Sequence, residues 1–178
     1  SEMDVTALVF NDKGVLFAAT SPNGKIYKVA DKGKGELFFN PNERYIWALA
    51  YDKQGTLLAA VGESGGIYAV NSLGEGRLVL KTAENHVLCL AFDAQGVLYA
   101  GSGGRGAVYR FAAGKSSLLF ESPYEEVRAL VPAEDGGVYA AAGGVALTAK
   151  KEEGAAAKTG TEVAVVVTAS ASDGVAAM

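Results

Sequence analysis

His86 is the one histidine of this 178-residue chain. It is the side chain whose ordinary titration falls between pH 5 and 8, so a general base at neutral pH would have to be His86. Cys89 and Ser122 are the candidate nucleophiles beside it. A nucleophile–base pair needs a third group to orient the base, and the sequence places none. Glu125 and Glu126 are paired carboxylates, but neighbours in an extended segment point to opposite sides and make poor acid–base partners. Gly101-Ser102-Gly103-Gly104-Arg105-Gly106 fits the G-x-G-x-x-G pattern. Dinucleotide binding needs that loop between a strand and a helix, and here the strand-like run Ala107 to Phe111 follows. The loop therefore reads as an arginine-bearing turn, and no cofactor is expected. Asp12, Asp52, Asp93 and Asp135 recur beside glycines. The spacing of a calcium loop with its bidentate Glu is missing, so these read as turn residues bonding local backbone. One histidine and one cysteine also exclude the common His/Cys zinc sites, and no metal is expected.

A second kind of chemistry, recognition, shows when the chain is laid over itself. Val5-Thr6-Ala7-Leu8-Val9-Phe10 aligns with Ile46-Trp47-Ala48-Leu49-Ala50-Tyr51, and that with Val87-Leu88-Cys89-Leu90-Ala91-Phe92, in steps of 41 residues. Gly14, Gly55 and Gly96 share a column, as do Tyr27, Tyr68 and Tyr109. A fourth copy starts at Val127-Arg128-Ala129-Leu130, 40 residues on. Against these uniform columns two vary in every copy: Asp4, Tyr45, His86 and Glu126, then Thr6, Trp47, Leu88 and Arg128. Variable polar and aromatic positions on a fixed frame are what a binding surface looks like. The candidate binding residues are therefore Tyr45, Trp47, His86, Glu126 and Arg128, with Arg44 and Tyr124 beside them.

The elements that must carry these residues are short strands. In the second copy, 45–51, 56–61, 66–70 and 77–81 are β-branched or aromatic runs bounded by Gly, Asn, Asp or Ser. Within the first, strict alternation sends Ile46, Ala48 and Ala50 one way and Trp47, Leu49 and Tyr51 the other. Both sets are apolar, as in a strand covered on both faces. The small column Ala7, Ala48, Cys89 and Ala129 fits crowded inner strands, which would leave Cys89 buried and inert. The tyrosine column is expected to pack between units with its hydroxyls at the rim.

Four antiparallel strands per ~40 residues is the signature of a β-propeller blade. The pattern Leu49-Ala50-Tyr51-Asp52-x-x-Gly55-x-Leu57-x-Ala59, followed by Gly66-Ile67-Tyr68-x-Val70, resembles bacterial β-propeller repeats of the NHL-like, WD40-like and regulator-propeller groups. It lacks the Gly-His and Trp-Asp pairs of true WD40 repeats. The resemblance implies an all-β propeller fold and no particular activity. Four blades are expected over 4–143, at about 4–44, 45–85, 86–125 and 126–168 with a loop insertion in the last. An incomplete arc, or part of a larger propeller, is expected rather than a closed four-bladed disc. Pairing with further blades or with a second copy would then cover the open ends. Residues 144–178, rich in Ala, Gly and Ser, read as loop or linker. They hold one strand-like run at 162–168, read as the fourth strand of blade four or, alternatively, as the start of the next unit.

Composition narrows the partners. Sixteen basic residues against 20 acidic, net −4, give no basic footprint for nucleic acid. One cysteine excludes an internal disulfide. No apolar run spans a membrane as a helix. No signal peptide is visible, and a chain opening at Ser1 reads as processed or trimmed. The resemblance favours a periplasmic or extracellular setting. The function expected is a non-enzymatic binding or scaffold module that offers its channel face to a protein or glycan. The alternatives are a small-ligand sensor or propeller-type hydrolase or lyase, and a structural spacer in a multidomain secreted protein.

Overall fold

A computed structural model describes residues 4–30, 33–134 and 136–147 and the backbone of a strand at 164–168. Among the described residues all the elements are strands. The first sheet runs β1 (Asp4–Phe10), β2 (Leu16–Ser21), β3 (Ile26–Val29), β4 (Gly35–Phe39) in that order. The second repeats the order with β5 (Ile46–Tyr51), β6 (Leu57–Val61), β7 (Gly66–Val70) and β8 (Gly76–Lys81). The third is β9 (His86–Phe92), β10 (Leu98–Gly103), β11 (Ala107–Ala112) and β12 (Lys115–Glu121). Blade four holds β13 (Tyr124–Pro132), β14 (Val138–Ala146) and β15 (Ala164–Thr168), and the pair Gly103↔Glu126 between β10 and β13 joins it to blade three in one seven-stranded sheet. Every pairing is antiparallel. β15 lies directly on β14, from Val138↔Thr168 to Ala142↔Ala164. That is the place third strands hold in the other blades, so the expected fourth strand of blade four is corrected to a third. The remainder of the expected linker lies outside the described residues.

The hairpin turns are closed by side-chain oxygens. Asp52 Oδ1 accepts from the amides of Gln54 and Thr56 at 2.9 and 2.7 Å, and Asp93 Oδ1 from those of Gln95 and Val97 at 2.9 and 2.8 Å. In blade one the same two bonds come from Asn11, to Lys13 and Val15. The turn column is thus Asn11, Asp52 and Asp93, and Asp12 sits one residue beyond it. An amide oxygen accepts as a carboxylate does, so a column tracked by charge slips by one. Asp135 lies outside the described residues.

The core is built between sheets. Phe17, Ala19 and Ile26 of blade one pack with Ile46, Leu57, Ala59, Val61 and Val70 of blade two. Leu58, Ala60 and Ile67 then pack with Val87, Leu98, Ala100 and Phe111. Cys89, Tyr99 and Val108 pack with Val127, Leu130, Val138, Ala140 and Ala142. Successive inner strands touch, β1 with β5, β5 with β9 and β9 with β13. No comparable packing joins β1 with β13 among the described residues, so the four blades form an open arc.

Strict alternation fails in every inner strand. In β5, Ile46 pairs with Val61 and Ala48 with Ala60, leaving Trp47 as an extra residue. Thr6, Leu88 and Arg128 are the extra residues of β1, β9 and β13. These are β-bulges, which interrupt the ladder and re-aim a side chain. Past the bulge the faces exchange. Ile46, Leu49 and Tyr51 now turn together toward the preceding blade, while Ala48 turns toward the next. The expected grouping of Ile46 with Ala48 and Ala50 is corrected accordingly.

Candidate functional site

The bulge column is the second variable column of the sequence. Bulging frees these four residues from the inter-blade alternation, so packing does not fix their identity. Two of them reach forward to the next blade. Thr6 Oγ1 donates to the carbonyl of Ile46. Trp47 Nε1 donates to Nδ1 of His86 at 3.2 Å. An Nδ1 that accepts carries no proton, so the neutral ring keeps its hydrogen on Nε2 and presents a donor there.

Around this bond sits an aromatic group. The Tyr45 ring stacks on Trp47 with centroids 4.9 Å apart and planes at 11°. His86 lies 6.3 Å from Tyr45 and 6.1 Å from Trp47, in tilted and edge contacts. The Arg44 guanidinium stands over the Tyr45 ring, 5.3 Å from its centroid. All three rings are half-buried. Gly62 makes the cluster possible. A Cβ there would fall 2.7 Å from His86 Nδ1 and 2.7 Å from Trp47 Nε1. Its amide also donates to the Tyr45 carbonyl at 2.9 Å. Gly62 read from sequence is an ordinary turn residue; its match with Gly103, 41 positions on, is the signal that could have marked it.

Arg44 joins the cluster to a cleft of ≈ 610 Å³ between blades one and two. Its walls are the β2–β3 turn (Pro22, Asn23, Lys25), the connection into β5 (Asn40 and Asn42 to Arg44) and Glu63. That volume is in the range of small-ligand sites. Glu43 is fixed at its edge by Ser64 Oγ, which donates to it at 2.5 Å. Burial first, and then the Glu43 carboxylate, pushes the Tyr68 hydroxyl above its ordinary range. The neighbouring Tyr109 is raised by burial and then by Glu84, the matching residue one blade on. The sequence did not single out the asparagines, because no column marks them.

The remaining candidates form a second group. Gly103 pairs with His86 on one side and with Glu126 on the other. Cross-strand partners share a face, so the imidazole and the carboxylate flank a glycine, about two strand spacings or ~10 Å apart. Arg128 is exposed and forms an ion pair with Glu126. Tyr124 packs against the core between blades three and four. Cys89 is buried, donates to the Val127 carbonyl at 3.4 Å, and has its thiol pushed up to about 12 by desolvation. Ser122 is buried too and accepts from the Tyr124 amide at 3.0 Å. Among the described residues no group of three or more His, Cys, Asp or Glu side chains is placed to hold a metal. Among them also, no helix is long and apolar enough to cross a membrane.

No family model matches the chain, and no curated protein matches it in sequence. Solved structures match it in fold. Virginiamycin B lyase from Staphylococcus aureus superposes with a TM-score of 0.66 at 12% identity, over 91% of this chain and 55% of that one. A catalytically inactive variant of that lyase, with quinupristin, gives 0.66 at 13% identity over the same shares. A protein of unknown function from Bacteroides caccae gives 0.59 at 16%, over 79% and 57%. The fold is a partial β-propeller. The chain spans a little over half the length of these structures, and identities this low carry the fold alone.

Proposed function

We propose that the chain is a non-enzymatic binding module whose channel face, at the starts of the inner strands, receives a protein or glycan partner. The observation that carries this reading is the bulge at Trp47. It lifts an aromatic side chain out of the framework and sets it against Tyr45 and His86, beside a polar cleft. Stacked rings with an imidazole N–H, amides and a guanidinium nearby supply apolar contact and directed hydrogen bonds together. Glycan and peptide arrays probed with the wild-type chain and with Trp47→Ala test it. Ligands that bind the wild type and lose at least ~10-fold in affinity for the variant support the reading, since a central aromatic anchor is worth about 2 kcal/mol or more. Ligands that bind both equally overturn it.

A second reading, a lyase or small-ligand site, is favoured by the His86–Gly103–Glu126 row and by the fold likeness to virginiamycin B lyase. Incubation with virginiamycin B, followed by chromatography of the intact compound, separates the two. The binding-module reading expects no consumption. Consumption that is lost in His86→Ala would replace it with the enzymatic one.

A further inference from the structure

The three inter-blade cores give an internal standard for the two blade faces that lie at the ends of the arc. Ile46, Val87 and Val127 are each fully buried, and each turns toward the blade before its own. Val5 holds that place in blade one and is 62% exposed, with Leu8 and Phe10 on the same face at 61% and 64%. At the other end, Phe17, Leu58 and Tyr99 turn toward the blade after their own and are 4–7% exposed. Tyr139 holds that place in blade four and is 44% exposed, with Val131 at 62%. Blade one thus presents the receiving half of an inter-blade interface, and blade four presents the inserting half. The two halves are those joined three times within the chain.

We propose that a second copy of this chain covers both faces, blade four of each copy packing on blade one of the other. Three lines of argument select that occupant. The exposed residues are apolar in the same columns that are apolar where a blade of this chain covers them, so a blade of this kind fits. The contact is heterologous, and two such contacts related by a two-fold axis close a ring. The arc covers 55–57% of the solved propellers it matches, so a ring of that kind needs about three more blades; a second arc supplies four, and the resulting eight lies within the range propellers adopt.

Light scattering after size-exclusion chromatography reads the state of the wild type and two variants. Val5→Asp blocks only the blade-one face, and Tyr139→Asp only the blade-four face. Both sites are exposed in the isolated arc, so far-UV circular dichroism is expected to stay that of the wild type. The wild type is expected at the mass of two chains and each variant alone at the mass of one. An equimolar mixture regains a two-chain species, because one intact interface remains between the unlike variants. A monomeric wild type overturns the proposal. So does an open ladder of more than two chains, or a Val5→Asp variant that stays dimeric.

Discussion

Gly62 is the residue on which the candidate site depends most sharply. Its missing side chain is the space in which Trp47 reaches His86. Gly62→Ala is therefore expected to break that hydrogen bond while leaving the strands intact. The check is direct, because Trp47 is the sole tryptophan and the emission spectrum reports its surroundings alone. A shifted emission with unchanged far-UV circular dichroism is expected; an unchanged spectrum would place the indole elsewhere. Cys89 makes the opposite point. Its thiol is raised from 9.0 to about 12 by burial, so the folded chain holds almost no thiolate at pH 8. A thiol reagent is expected to label it more slowly in the native state than in denaturant, by on the order of 10²-fold or more, because burial disfavours the thiolate that reacts. Tyr51 is raised from 10.0 to about 12, first by burial and then by Asp12. Both groups hold their proton more tightly folded than unfolded. Stability present below pH 9 is therefore lost as pH climbs from 9 toward 12, and denaturant midpoints across that range should fall steadily.

At the scale of elements, the turn after each inner strand sets the hairpin. Asn11, Asp52 and Asp93 each cap two amides, whereas Ala133 stands at that place in blade four and has no side-chain oxygen to offer. Asp52→Ala is expected to cost about 1–3 kcal/mol, and each kcal/mol lowers Tm by roughly 2–4 °C. Ala133→Asp is expected to raise Tm, since it supplies the missing acceptor. Strands and turns of this kind were legible in the sequence. The second copy's third strand, expected at 66–70, is found there, and its fourth, expected at 77–81, starts one residue earlier. What was not legible follows from physics that alternation does not encode. A bulge adds a residue without changing composition, so the facing of Ala48 and the release of Trp47 were hidden. The two variable columns were visible, but a column does not say which neighbour a side chain reaches. The bond from Trp47 to His86 joins two columns across a blade boundary, and only the packing of β5 on β9 reveals it. β15 was recognised as a strand from its valines; its place beside β14 depends on pairing, which a uniform β-branched run leaves open.

The whole molecule is an arc whose blades hold one another through cores shared between sheets. That arrangement explains why the inner-strand residues can vary: the frame is fixed by Ile46, Val87, Val127 and their partners, and not by the bulged positions. The proposed docking surface is the face around Trp47, at the starts of the inner strands. The measurement that tests it most directly is a fluorescence titration of the wild type with the tightest ligand recovered from the glycan and peptide arrays, with binding followed in parallel by calorimetry. A saturable change in Trp47 emission whose midpoint matches the calorimetric one is expected, with a weaker affinity in His86→Ala. Tight calorimetric binding that leaves the emission of Trp47 untouched, and that His86→Ala does not alter, would contradict it.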